Sequence, residues 1–213
     1  MRTKVGILNY GAGNYGSVQR ALQQLDVTPV DVSVPSDFLE IERLVFPGVG
    51  SAHQALHELQ SRGLIEPLLK FARSGRPLLG ICVGMQVLGE WSEEGDTECL
   101  GLLPFRVEKF RCADPIPHMG WNSINWNTLH QNYSVAVRGS LDLSNFYFVH
   151  SYAAVCGSYH TNPDFLLGST RYGGIDFCSF VSSANIWGAQ CHIEKSGRIG
   201  LKFIENFLRW KRV

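Results

Sequence analysis

The sequence predicts an α/β fold: a central, mostly parallel sheet with helices on both faces and an antiparallel extension. Three observations carry this. The first ninety residues alternate short apolar runs with segments of helical apolar period, joined by short connections, the pattern of parallel strands covered by crossover helices. From about residue 105 the pattern changes to strand-like runs separated by turn residues. The composition, 45% hydrophobic and 18% charged over 213 residues, suits a globular chain with a sizeable core.

The elements follow in order. Residues 4–10 (KVGILNY) read as a strand running into glycines. Residues 17–25 place apolar side chains at 18, 21, 22 and 25, a helical period. Residues 29–34 form a second strand and 43–46 a third, which enters the turn PGVG. Residues 53–59 and 64–73 read as helices, and 77–81 as a fourth strand that meets GICVGMQ, with a helix from about 84 to 91. Residues 105–110, 121–126, 133–137 and 145–155 read as strands, followed by 177–181 and 186–191. Residues 199–210 close the chain as an amphipathic helix. No repeat, low-complexity tract or linker interrupts this order, so residues 1–213 read as one domain.

Charge and targeting signals narrow the function classes. Nineteen basic residues balance nineteen acidic ones, so no net field favours nucleic acid or an anionic membrane as partner. The start lacks the apolar core and cleavage site of a signal peptide, and no apolar run approaches the ~20 residues that span a bilayer; a cytoplasmic protein is expected. Cys82, Cys99, Cys112, Cys156, Cys178 and Cys191 are scattered without a CxxC pair. That favours free thiols and argues against structural zinc.

Two motifs compete for the chemistry. Gly11-Ala12-Gly13-Asn14-Tyr15-Gly16 matches GxGxxG between a strand and a helix, with Asp31 closing the next strand, the layout of a dinucleotide fingerprint. It would make the chain a nucleotide-binding module. The other reading is a tight structural turn, and Asn14 and Tyr15 are bulky for a loop that must approach pyrophosphate. GICVGMQ at 80–86 places Cys82 between glycines after an apolar strand. One reading is a buried core cysteine. The other is a nucleophile elbow, with Gly80 and Gly84 allowing close packing, the thiol at a helix N-terminus and the Val83 N–H facing an oxyanion.

Such a nucleophile needs a base. His53 and His57 share a helix face without an evident third metal ligand, and His118, His130, His150 and His160 sit singly, where a structural role is the default. His192 differs, because Glu194 follows two residues later. On an extended segment both side chains project to one side, so the carboxylate can orient the imidazole.

GICVGMQ resembles the nucleophile motif of class I (triad) glutamine amidotransferases, and QCHIEKS resembles their closing motif. The finer pattern is similar to the branch in which a glutaminase subunit works beside a separate (β/α)8 cyclase in histidine biosynthesis. NYGAGNYGSV, FPGVGSAHQAL, PHMGWN, YFVHSY and EKSGRIGLKFIENF carry it in order along nearly the whole chain.

The resemblance implies a flavodoxin-like fold, L-glutamine as substrate and no cofactor or metal. It implies Cys82 as nucleophile, His192 as general base and acid, and Glu194 as orienting carboxylate. The Val83 and Val49 amides would form the oxyanion hole, and Gly50, Gln86, Glu94, Ser151 and Tyr152 would hold substrate. Trp121, Tyr147 and Lys195 would face the cyclase, although Trp121 and Tyr147 read equally well as core residues. Two departures stand out: Ile193 replaces the usual proline and Cys191 a common aromatic. A paralogous glutaminase that feeds a sugar-modifying synthase for surface polysaccharide shares these motifs. A peptidase or other hydrolase with an elbow cysteine is a further alternative.

Overall fold

A computed structural model describes residues 3–11, 13–139, 145–157 and 163–210. The first part alternates β1 (Val5–Leu8), α1 (Tyr15–Gln23), β2 (Val30–Val32), β3 (Arg43–Gly48), α2 (Ala52–Ser61), α3 (Ile65–Arg73), β4 (Leu78–Cys82) and the short α4 (Val83–Gln86). There follow β5 (Trp91–Ser92), β6 (Thr97–Glu98), β7 (Arg106–Lys109), β8 (His118–Ser123), β9 (Asn125–Trp126), α5 (Tyr133–Ala136), β10 (Asn145–His150) and β11 (Tyr152–Ala153). β12 (Leu166–Tyr172), β13 (Ile175–Ser183), β14 (Ile186–Ala189) and α6 (Gly197–Arg209) complete the described order.

Eight of these strands form one sheet in the order β2-β1-β3-β4-β14-β13-β12-β9. The five from β2 to β14 run parallel, and β13, β12 and β9 extend them antiparallel. This agrees with the expected class. Parallel strands covered on both faces read as continuous apolar runs, and β1, β3, β4 and β14 are buried along their whole length. α6 seals one face, where Phe203 and Phe207 pack on the buried Trp187. β8 pairs with β10, and β11, β7, β5 and β6 form a small sheet beside the main one. Among the described residues no helix is long and apolar enough to cross a membrane.

Two expectations need correction, and one strand has no counterpart in the sequence reading. Residues 133–137, read as a strand from their β-favouring side chains, form the helical turn α5. Buried Asn206 of α6 donates to the carbonyls of Ala136 and Arg138, both at 2.9 Å, and this tertiary clamp overrides local propensity. The helix expected from 84 to 91 stops at Gln86. The carbonyls of Val87, Leu88 and Gly89 accept from Leu100, Leu102, Leu103 and Gly101 instead of continuing the ladder. Strand β12 is not apparent in the sequence, because Gly168 and Ser169 interrupt its apolar pattern. A side chain at 168 would meet Ile124 Cγ2 at 2.7 Å and Trp126 Cε3 at 3.0 Å, so the glycine admits the neighbouring β9.

Candidate active site

β4 ends at Cys82, whose backbone stands at φ +54° and ψ −114°. This left-handed setting costs a non-glycine residue roughly 1–2 kcal/mol. The turn closes because residue 84 has no side chain: a Cβ on Gly84 would collide with the Phe46 carbonyl oxygen of β3. The thiol therefore sits at the carboxyl edge of the parallel strands, where α/β sheets bind ligands. It is not lifted into open solvent. Cys82 is 4% exposed, at the floor of a cavity of about 320 Å³. The helix behind it has only four residues, so few aligned peptide dipoles act on the sulfur.

His192 and Glu194 are buried beside it, with side-chain exposures of 2% and 0%. Their juxtaposition does not come from an extended segment, as expected from the sequence. Ile193–Lys195 forms a 3-10 turn, and the turn folds the carboxylate back to 2.7 Å from His192 Nδ1. A carboxylate only accepts, so Nδ1 carries hydrogen and Nε2 faces Cys82. Burial opposes charge on this imidazole. Hydrogen bonds to Cys82 and Glu194 and their charges outweigh it, and the His192 pKa is raised to about 10. The ring thus holds a proton at neutral pH.

The cavity collects most of the residues singled out from the sequence. Val49, Gly50, Val83, Gln86, Glu94, Ser151 and Tyr152 line it together with Cys82 and His192. The β3–β4 register sets Gly48 opposite Cys82, which brings the PGVG segment to the thiol. Burial raises the Glu94 carboxyl above the ordinary value although the Ala52 N–H donates to it, at 3.2 Å. Trp121, Tyr147 and Lys195 lie outside the cavity lining. Trp121 and Tyr147 are cross-strand partners with ring centroids 5.9 Å apart. Trp121 is 57% exposed, which removes the reading of it as a core residue.

Several participants are not legible in the sequence. Asn14, from the glycine-rich turn that resembles a dinucleotide loop, donates to Glu194 Oε1 at 2.7 Å. That loop is directed at the carboxylate. Tyr10 O–H donates to the Pro47 carbonyl at 3.1 Å and steadies PGVG from below. Gln190 meets Cys82, and His118 and His150 form a pair rather than sitting singly. His160 falls outside the described residues. Among the described residues no group of three or more His, Cys, Asp or Glu is placed to hold a metal.

A strained elbow cysteine, a buried His–Glu pair and a cavity at the sheet's carboxyl edge define a triad-type amidotransferase site. The chain belongs to the class I glutamine amidotransferase family, whose profile matches residues 7–210. Among its relatives are proteins named imidazole glycerol phosphate synthase subunit HisH. That of Desulfitobacterium hafniense is 43% identical over 97% of this chain and 94% of its own length. That of Thiobacillus denitrificans is 40% identical over 99% and 92%. A solved structure described as a glutamine amidotransferase superposes with a TM-score of 0.72 over 95% of this chain and 98% of that chain at 17% identity. The structure of PurLQS from Thermotoga maritima gives 0.70 over 98% of each chain at 16% identity. These two support the fold alone.

Proposed function

We propose that this chain is the glutaminase subunit of an imidazole glycerol phosphate synthase. It hydrolyses L-glutamine to glutamate and ammonia and hands the ammonia to a separate cyclase subunit for histidine biosynthesis. The observation that carries the chemistry is the contact of His192 with Cys82, both lining one cavity, and with Glu194 behind the ring. Near full-length identity to proteins of that name carries the pathway.

In this reading the Cys82 sulfur attacks the side-chain amide carbon of glutamine. The oxyanion that forms faces the backbone N–H groups of Val83 and Val49. His192 Nε2–H protonates the departing nitrogen, and ammonia leaves a thioester. The now neutral imidazole takes a proton from water, which attacks the thioester and releases glutamate. Glu194 fixes the ring and offsets its charge without itself transferring the proton. Glu94, Gln86, Gly50, Ser151 and Tyr152, which line the cavity, hold the substrate glutamine. Residues 1–213 act as one amidotransferase domain, an inference supported by a sheet that takes strands from both halves of the chain.

The partner reading is supported by exposed apolar side chains: Val49, which lines the cavity, and Ile116, Met119 and Trp121 on and just before β8, with Lys195 exposed beside the triad. The experiment is glutamate release from free glutamine by wild type and Cys82→Ala in the presence of the cyclase. A diazo-ketone glutamine analogue serves as covalent label. The label should map to Cys82 and to none of the other five thiols. Retained hydrolysis in Cys82→Ala, or preference for a peptide amide over free glutamine, would overturn the reading.

A further inference from the structure

Cys82 has a polar neighbour outside the triad. Gln190 Nε2 points at its sulfur at 3.8 Å, within reach of a hydrogen bond to this large acceptor, and Gln190 is fully buried. A primary amide can present either end. The direction here is dictated by a chain of groups that begins at an atom able only to accept.

That atom is the Tyr152 carbonyl oxygen. It receives Gln86 Nε2 at 2.9 Å and His150 Nδ1 at 3.0 Å. The same Gln86 nitrogen meets Gln190 Oε1 at 3.0 Å. Gln86 can do both only by donating, so the Gln190 oxygen is engaged and its nitrogen is left for Cys82. On the other side, His150 Nε2 faces His118 Nδ1 at 3.3 Å, and His118 Nε2 faces Asn122 Nδ2 at 3.4 Å. Burial lowers His118 to about 4. Burial, followed by the neighbouring His118, lowers His150 to about 3. Both rings are therefore neutral in the working range, with each Nε2 an acceptor. Tyr172 and Phe148 stack on His118 at centroid distances of 4.0 and 4.9 Å and fix its plane. From Asn122 to Cys82 every hydrogen bond has one allowed direction.

We propose that Gln190 is a further catalytic residue, which donates a hydrogen bond to the Cys82 sulfur, and that His118 and His150 position it through the Tyr152 carbonyl and Gln86. The proposal rests on Cys82 being the nucleophile. A donor aimed at sulfur favours its anionic, attacking form and counts for more in a buried site. Behind a four-residue helix it supplies what the helix dipole does not. The donor is weakened when sulfur becomes a neutral thioester, so it acts most on attack.

The test measures iodoacetamide alkylation of Cys82 at pH 7 by peptide mass mapping of the full chain, and kcat and KM for glutamine with the cyclase bound. Gln190→Met keeps length and loses the donor. It should slow alkylation and lower kcat by roughly 10- to 100-fold, with KM moving less than about threefold. Gln190→Leu is of similar size and cannot donate in any protonation state, so it should slow alkylation at least as much; it serves if the Met variant does not fold. His150→Phe should lose part of the same rate. His150→Asn, whose Nδ2–H can reach the Tyr152 carbonyl, should restore it to within about threefold. Folded Gln190 variants that alkylate at the wild-type rate would overturn the proposal. Equal losses in His150→Phe and His150→Asn would overturn the positioning role. Failure of Cys82 as nucleophile is read separately, from hydrolysis retained by Cys82→Ala.

Discussion

The floor and the mouth of the cavity are built differently. At the floor, Cys82 and His192 are buried, with buried Gln190 against the sulfur, the Glu194 carboxylate against the ring and Asn14 against that carboxylate. At the mouth, Val49 is 38% exposed and Gly50 at φ +83° follows it on the PGVG segment; outside the lining, on β8, Trp121 is 57% and Met119 63% exposed. Packing fixes the buried groups, whereas the PGVG segment is open to solvent. On the function proposed above, the fold supplies the reactive groups and a partner acts on the open segment.

The largest effects should come from breaking the floor. Cys82→Ala and His192→Ala should each lower glutaminase turnover by about 10⁴-fold or more in the assembled complex, since each removes a group that reacts directly. Cys82→Ala should leave the melting temperature within a few degrees of wild type. Glu194→Gln should lose less than His192→Ala, because the carboxylate orients and stabilises the ring without itself taking the proton. Equal losses would assign Glu194 a separate role.

The His192 proton gives a pH test of the same region. A histidine whose pKa is raised to about 10 in the folded chain adds stability that is full below the ordinary value of about 6.5. That contribution declines as pH rises and is gone above about 10. The stability advantage of wild type over His192→Gln, read by urea unfolding, should therefore shrink from pH 6 to pH 10. An advantage that grows over this range would contradict the buried, charged ring.

Smaller effects sharpen the contrast with the mouth. Trp121→Ala should weaken cyclase binding about 10- to 100-fold, as the loss of an aromatic anchor does. It should leave the isolated chain's basal turnover unchanged; isothermal titration and a basal glutaminase assay would show this. Ile193→Pro should change activity least, within about threefold. Residue 193 opens the 3-10 turn, a position that suits proline. It would lose the Ile193 N–H bond to the Cys191 carbonyl at 3.1 Å, about 1 kcal/mol of stability. A collapse in activity would mean that this turn needs the free N–H.

How far the site can be read from sequence follows the same division. Cys82 and its glycines are local, so the elbow is legible. The pairing of His192 with Glu194 is legible as spacing, but the 3-10 turn that achieves it is not, since an extended segment satisfies the same spacing. Asn14 reaches Glu194 across 180 positions, and no local pattern encodes that contact. The His118–His150 pair depends on the β8–β10 register, which sets those two residues opposite each other. β12 escapes a sequence reading because Gly168 answers to the bulk of Trp126, a tertiary neighbour. Local backbone chemistry is written in short motifs, and cross-strand and cross-sheet contacts are not.

Whether the floor is complete and the mouth is not can be measured in one comparison: steady-state glutaminase turnover of the chain alone and with the cyclase and its ligand. Placing one oxyanion donor is worth roughly 100- to 1,000-fold. The account predicts that the isolated chain is slower by at least that factor and that the complex restores the rate. Equal turnover in both states would contradict it.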